Sequence, residues 1–381
     1  MLLFHWLVKV KIFSAHLCVL CASAVEAMFT AEAQSSAEKD PSGRISNVFM
    51  KQVSGLLLLL LVCTAVVLSQ TADQDDVVRV DTDVTNLPFT AMDKDRRFVT
   101  TLRAEDVRVL EDGVPQELFT FQRETDRPLA IAFLIDVSAS QESSLPEEKA
   151  AARLFIEKVI QSSKDQVAIV PFTGEAYLEQ GLTPDVLSVY RVLERVEVAA
   201  PAYLGSGRPL TGIPTGPGML ATPPEGATAI WDAVALTSRR VLANAPGLRR
   251  RAIIILTDGW DTASRLMRKE AINSTLATEA VIYAIGIGGK RDGVYRDSLR
   301  DLAQRTGGRA FFPDKKLDLN EAFAEIEREL RTQYLIAYSS TNKKHDGAYR
   351  KISVEITNPE LRKQKLEIRH RPGYYAKQPK G

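Results

Sequence analysis

Residues 129–136, Leu-Ala-Ile-Ala-Phe-Leu-Ile-Asp, form an unbroken apolar run that ends in a carboxylate. A run of this length without polar alternation predicts a strand buried on both faces, as in the middle of a parallel sheet. Ser138 and Ser140 follow at alternate positions after Asp136. Open α/β sheets bind their ligands beyond the carboxyl ends of the strands. Three oxygen-bearing side chains are therefore expected at a ligand-binding edge, where oxygen ligands favour a hard divalent cation over zinc or copper.

Strands and helices alternate over residues 129–331. Apolar runs predict strands at 129–136, 166–172, 252–257, 280–286 and 309–312. Apolar residues between and after them recur at helical spacing, as Leu319, Phe323, Ile326 and Leu330 do. This alternation predicts an α/β domain with a doubly wound, mostly parallel sheet and helices on both faces.

The flanks of this region have β patterns. The alternation at 78–84 predicts a strand, and residues 107–121 predict two strands around an Asp112-Gly113 turn. Three further strand patterns lie at 334–339, 352–356 and 366–368. Pooled, the flanks supply about seven strands, enough for a small immunoglobulin-like all-β sandwich. We predict that an N-terminal β segment, 70–128, pairs with a C-terminal one, 332–376, with the α/β domain at 129–331 inserted between them.

Residues 1–69 are predicted to be a leader. Met50-Lys51 precedes an apolar stretch that contains six consecutive leucines, a pattern typical of a secretory signal peptide. The stretch is shorter than the roughly 20 residues that span a bilayer, which favours cleavage over membrane anchoring. Met50 is then the expected initiator; the alternative is that residues 2–27 are a signal or anchor and 56–68 a second span. Export to the periplasm, the cell surface or the medium is expected.

The composition excludes several kinds of site. The net charge of +1 gives no support to a nucleic-acid-binding role. All the cysteines, Cys18, Cys21 and Cys63, lie in the leader, so the folded part has no disulfide or thiolate metal site. The histidines, His5, His16, His345 and His370, lie in the leader or the C-terminal β segment. A histidine-based acid–base or triad mechanism at the strand ends therefore has no candidate.

Three segments are expected to meet at one edge of the sheet. They are Asp136-x-Ser138-x-Ser140, Thr228 before a predicted helix, and Asp258 after the apolar strand 252–257. Taken alone, each has a simpler interpretation: a strand-end turn, a helix N-cap and a turn, respectively. Their conjunction after two apolar strands favours a metal site. We expect Ser138, Ser140 and Thr228 to bind the cation, and Asp136 and Asp258 to hold it directly or through water.

Hydroxyl ligands leave the charge of a cation in place. With at most two carboxylates beside it, a divalent ion stays under-compensated and attracts a carboxylate from outside. A charge pair at about 4 Å is worth about 4 kcal/mol at an effective dielectric of about 20. We therefore expect a protein partner that offers an Asp or Glu, and a membrane contact only through an uncleaved leader.

These five residues resemble the metal-ion-dependent adhesion site of the von Willebrand factor type A family. The family's D-x-S-x-S motif matches Asp136, Ser138 and Ser140; its lone threonine matches Thr228, and the aspartate of its T-D-G motif matches Asp258. The resemblance covers residues 129–331. Residues 109–116 and 333–338 resemble a bacterial, often acidobacterial, subfamily called VWFA-related. The resemblance implies a fold and a metal site but no particular partner. We expect a protein-binding module rather than an enzyme, with Mg²⁺, or alternatively Mn²⁺ or Ca²⁺, at its site.

A Pro- and Gly-rich loop at 201–226 has no counterpart in the family's core pattern and is expected to shape partner selectivity. Its residues Tyr203 and Arg208, together with Asp261, are candidates for contacting the partner. For Asp261 a solvated loop charge is the alternative, and Glu142 could be a resting-state ligand. Two other functions stay open: a metal-dependent hydrolase that uses Asp136 and Asp258, and a structural envelope module whose metal site is unused.

Overall fold

The structure is a computed structural model that describes residues 84–123, 127–161, 163–199, 208–211, 226–247, 249–288, 293–314 and 316–378. The leader, most of the 78–84 strand pattern and most of the 201–226 loop lie outside these residues. Among the described residues, none of the helices combines the length and the apolar character that crossing a bilayer requires.

The strands, in chain order, are β1 (Val84–Met92), β2 (Val107–Glu111), β3 (Val114–Pro115), β4 (Leu118–Arg123), β5 (Leu129–Asp136), β6 (Gln166–Phe172), β7 (Tyr177–Leu178), β8 (Gln180–Thr183), β9 (Arg208–Pro209), β10 (Arg250–Thr257), β11 (Ala280–Gly286), β12 (Ala310–Phe311), β13 (Tyr334–Ser339), β14 (Tyr349–Ile356), β15 (Glu367–His370) and β16 (Gly373–Tyr375). The α-helices are α1 (Leu145–Val159), α2 (Val186–Arg195), α3 (Ile230–Leu236), α4 (Arg268–Ala277), α5 (Arg296–Thr306), α6 (Lys316–Thr332) and α7 (Pro359–Lys363). A π-helical turn, Thr237–Val241, continues α3.

The central sheet has the strand order β12-β11-β10-β5-β6-β8. All neighbouring pairs are parallel except β6 and β8, which are antiparallel. Helices α1, α2 and α6 cover one face, and α3, α4 and α5 cover the other. Strand β5 is buried along its whole length because its side chains alternate between these two cores, Ile131 and Phe133 facing one and Ala132 and Leu134 the other.

The flanking strands form two antiparallel four-stranded sheets, β15-β1-β13-β4 and β16-β14-β2-β3. Their facing side chains share one core that includes Leu87, Phe89, Val109, Ile336 and Ile352. The N-terminal β1 pairs with the C-terminal β13 and β15, and β2 pairs with β14. The predicted fold class, a mostly parallel α/β sheet with additional antiparallel sheets, is confirmed. The predicted domain boundaries stay predictions.

One part of the β prediction is wrong in detail. The Asp112-Gly113 turn is present, with both residues at positive φ, but the strand after it is divided between two sheets. Val114–Pro115 pairs with β2, whereas Leu118–Arg123 pairs with β13. Beyond Pro115 the hairpin keeps one backbone bond, from the N–H of Gln116 to the carbonyl of Val109. The side chain of Gln116 donates to the carbonyl of Val114 and to Thr341 Oγ1, just after β13.

Candidate metal centre

The carboxyl ends of two neighbouring parallel strands are joined by their side chains. Ile135 of β5 pairs with Leu256 of β10, so Asp136 and Thr257 reach the same edge of the sheet. The hydroxyl of Thr257 donates to Oδ2 of Asp136 over 2.6 Å, and the backbone N–H of Ser138 donates to Oδ1 over 3.0 Å. These two hydrogen bonds hold a carboxylate that is fully buried.

Two serines connect this strand end to the next one. The Oγ atoms of Ser138 and Ser140 lie 3.1 Å apart, and Ser140 Oγ donates to Oδ2 of Asp258 over 2.8 Å. The other oxygen of Asp258 accepts from the backbone N–H of Trp260 over 3.0 Å. Ser138, Ser140 and Asp258 thus form one continuous polar cluster at the edge where the sequence places the metal.

Thr228 lies in a loop that is hydrogen-bonded to the segments that follow β10 and β6. Its carbonyl accepts from the N–H of Thr262, which follows the Asp258 turn, and its own N–H donates to Thr262 Oγ1, both over 2.8 Å. The next residue, Ala229, donates its N–H to the carbonyl of Thr173, directly after β6. All three predicted segments are therefore at the carboxyl edge of the central sheet, and Thr228 itself is buried.

The oxygens of the cluster are spaced as ligands of a small cation are. In an octahedral shell with ligands at about 2.1 Å, neighbouring ligand oxygens are about 3 Å apart. The separations of 3.1 Å between the serine hydroxyls and 2.8 Å from Ser140 to Asp258 match this spacing. Within the described ranges, no three or more His, Cys, Asp and Glu side chains are grouped to hold a metal. The donor set fits Mg²⁺, Mn²⁺ or Ca²⁺.

Burial dominates the electrostatics of Asp136. It raises the pKa of the carboxyl to about 6, and the negative charge of Asp258 acts in the same direction, while the hydrogen bonds from Ser138 and Thr257 oppose the rise. A carboxylate in this environment gains from a positive charge placed beside it. The cluster is thus electrostatically prepared for a cation.

Sequence reasoning misses two buried residues at this edge. In the sequence Thr257 is only the start of the T-D-G turn, but in the structure its hydroxyl orients Asp136. Glu148, in the first turn of α1, is 1% exposed, and neither carboxyl oxygen has a hydrogen-bond partner among the residues that the structure describes. A signal for Glu148 is visible in the sequence, because it shares a helix face with the apolar Ala152 and Phe155.

Asp261 has a structural role at this edge. Its Oδ1 accepts from the backbone N–H groups of Ile230 over 2.8 Å and Trp231 over 3.4 Å, so it caps helix α3. Thr228, the N-cap in the alternative interpretation, makes no side-chain cap to this helix. Asp261 is half-buried rather than a solvated loop charge. A contact between Asp261 and a partner stays a prediction.

The other candidate residues are less informative. Tyr203 lies outside the described residues. Arg208 is exposed and belongs to the short strand β9, where it pairs with Leu178 of β7. Glu142 is exposed at the start of the segment that leads into α1. Their roles at the partner surface or the metal stay predictions.

Comparison with known families settles what kind of domain carries this cluster. The sequence model of the von Willebrand factor type A domain matches residues 129–199 and 219–312. The chain contains a von Willebrand factor type A domain. The unmatched residues between these ranges, 200–218, fall within the 201–226 loop except for residue 200. Comparison with curated proteins finds no match.

Solved structures with similar folds come from animals and bacteria. Proximal thread matrix protein 1 from the mussel byssus is 18% identical, with a TM-score of 0.42, and the match covers 58% of this chain and 51% of that one. The chain thus spans about half the length of the mussel protein. An aerotolerance-related membrane protein from Bacteroides fragilis is 18% identical, with a TM-score of 0.39 and coverage of 53% and 98%. A von Willebrand factor type A protein from Catenulispora acidiphila is 13% identical, with a TM-score of 0.42 and coverage of 79% and 75%. These likenesses are too weak to transfer a ligand or a partner.

Gly259 directly follows Asp258 in a turn, and replacing Gly259 tests whether that turn requires a glycine. Its φ is +86°, and an added Cβ would lie 3.0 Å from Leu299 Cγ and 3.1 Å from the carbonyl oxygen of Tyr295. We expect Gly259→Ala to lower the free energy of unfolding by about 1–3 kcal/mol, measured in urea with EDTA present. Gly181→Ala, where an added Cβ meets no atom within 4 Å, is the matched control and should change stability by less than about 0.5 kcal/mol. Equal effects of the two substitutions would contradict the strain argument.

Proposed function

We propose that the von Willebrand factor type A domain of this chain is an exported, divalent-cation-dependent module that binds an acidic side chain of a protein partner. The observation that carries the proposal is the hydrogen-bonded cluster of Ser138, Ser140 and Asp258, which joins two separate strand ends. Thr228 and Asp136 at the same edge complete the oxygen set. Mg²⁺ is the expected ion, with Mn²⁺ or Ca²⁺ as alternatives.

The charge balance of the site supports partner binding. Two carboxylates, Asp136 and Asp258, face the proposed ion together with neutral hydroxyls. The ion would therefore keep enough positive character to attract an outside carboxylate at an open coordination position. A bound ion supplies electrostatic attraction; the chain supplies the fixed oxygens that hold it.

The positions of the histidines favour binding over a histidine-based hydrolysis. A metal-dependent hydrolase would need a general base or a second metal beside the first. His370 lies on β15 in the antiparallel sheets, where its Nδ1 contacts the backbone oxygen of Arg371. We therefore keep binding as the proposed function, while the absence of catalysis stays a prediction. The proposal that the protein is exported rests on the leader pattern alone.

Cation binding is tested by calorimetry with Mg²⁺, Mn²⁺ and Ca²⁺ on the purified protein. Wild-type protein should give saturable heat with at least one of these ions. Asp258→Ala removes a charged ligand and should weaken binding at least about tenfold. Asp297→Ala is the matched control, because Asp297 is exposed and forms a surface ion pair with Arg300. Absence of heat with every ion, or equal heat from the two variants, would overturn the proposal.

The open coordination position is tested with Mn²⁺ as a paramagnetic reporter. Water bound to Mn²⁺ enhances proton relaxation, so a carboxylate that displaces this water should lower the enhancement. We expect acetate to lower it in the wild-type protein, while acetamide, which has nearly the same shape but no charge, should leave it unchanged. If neither compound changes the enhancement, or if both change it equally, the ion does not select carboxylates. The proposal that the partner offers an acidic side chain would then be wrong.

A further inference from the structure

Glu148 is a buried acid without a visible use in the fold. It lies in α1, which begins just after the turn that carries Ser140, and it is 1% exposed. Burial raises its pKa to about 8, and the negative charges of Asp136 and Asp258 act in the same direction. The two aspartates of the proposed cation site are thus the acidic neighbours that Glu148 faces.

The residues between Glu148 and the site do not satisfy its carboxyl group. Ser144 lies one helical turn before it, and the Ser144 hydroxyl opposes the rise in the pKa of Glu148. That hydroxyl donates its single proton to Gln141, however, to the backbone oxygen over 3.2 Å or Oε1 over 3.1 Å. The Gln141 amide in turn donates to Ser140 Oγ over 3.3 Å. This chain of contacts runs from α1 to the cation site and leaves both oxygens of Glu148 without a donor among the described residues.

A buried carboxyl group without a partner is costly in either protonation state. Hydrogen bonds between protein groups usually satisfy such a group, and the few exceptions require a specific explanation. Water bound to a divalent cation offers strongly polarised O–H donors that point away from the ion. Because Ser144 and Gln141 connect α1 to Ser140, Glu148 would act through such a water and not as a direct ligand.

We infer that Glu148 is a positioning residue of the cation site: it accepts a hydrogen bond from a water on the ion, strengthens the ion's binding and weakens its attraction for a partner's carboxylate. The inference rests on the proposed function, because it requires that an ion binds there. Once an ion is bound, its positive charge favours the ionised form of Glu148. That negative charge then adds to those of Asp136 and Asp258, so the bound ion is held more tightly and is also more fully compensated. Glu148 would thus set the balance between the affinity of the site for the cation and the affinity of the bound cation for the partner's carboxylate.

Glu148→Gln tests this role, because it removes the charge and keeps the shape. Mn²⁺ affinity should fall about tenfold, while the affinity of the Mn²⁺-loaded protein for acetate, read from water-proton relaxation, should rise about threefold. The metal-free variant should be at least as stable as the wild type in urea with EDTA, since an unpartnered buried acid has been removed. Glu148→Met is a second variant of similar size, with the same expected directions.

Glu147→Gln is the matched control, because the neighbouring Glu147 is exposed on the same helical turn. It should leave Mn²⁺ affinity, acetate affinity and stability unchanged. A purely structural Glu148 would give Mn²⁺ binding equal to the wild type together with lost stability, and that result would overturn the inference alone. If the wild-type protein binds no divalent ion, the proposed function fails as well, and the two failures are thereby distinguished.

Discussion

The burial of negative charge at the end of a fully apolar strand is the constraint on which the site depends. Asp136 is fully buried, and Asp258 on the neighbouring strand end is 5% exposed. Two carboxylates enclosed so closely are tolerable only if donors or a cation compensate them. Hydroxyl groups of Thr257 and Ser140 provide part of this compensation through bonds of 2.6 and 2.8 Å. A divalent ion among the same oxygens would provide the rest.

The parallel sheet explains how residues distant in sequence reach one place. Asp136 and Asp258 lie at the ends of strands β5 and β10, which are adjacent and in register. The loop that carries Thr228 is hydrogen-bonded to the turns after β6 and β10. The strands are rigid because helices cover both faces of the sheet. The loops at the strand ends can therefore carry polar side chains at fixed positions without support from a partner.

Much of this arrangement could be predicted from the sequence because its signals are local. The bounds of β5, β6 and β11 are set by apolar runs that end in Asp136, Phe172 and Gly286. The clustering of Asp136, Ser138, Ser140, Thr228 and Asp258 at one edge is a consequence of strand order, since parallel strands present the same end to one edge. Periodicity and topology were therefore sufficient to bring the three segments that carry these residues to one edge; that the five side chains surround one ion stays a prediction.

The features that the sequence did not predict depend on contacts between distant segments. Asp261 caps helix α3 across a separation of about thirty residues, which no local pattern encodes. The strand after Asp112-Gly113 leaves its hairpin at Gln116, whose side-chain amide donates to the carbonyl of Val114 and to the hydroxyl of the distant Thr341. Glu148 shares a helix face with the apolar Ala152 and Phe155, but that periodicity does not place it beside Asp136 and Asp258, which depends on how α1 packs.

Anomalous diffraction from crystals of the protein grown with Mn²⁺ tests the central claim most directly. The account predicts one strong manganese peak at about 2.0–2.3 Å from the hydroxyl oxygens of Ser138 and Ser140, with Thr228 and the two aspartates around it and one position taken by water or an outside carboxylate. A map without a peak at this edge, or a manganese ion bound elsewhere with these hydroxyls still hydrogen-bonded to each other, would contradict it.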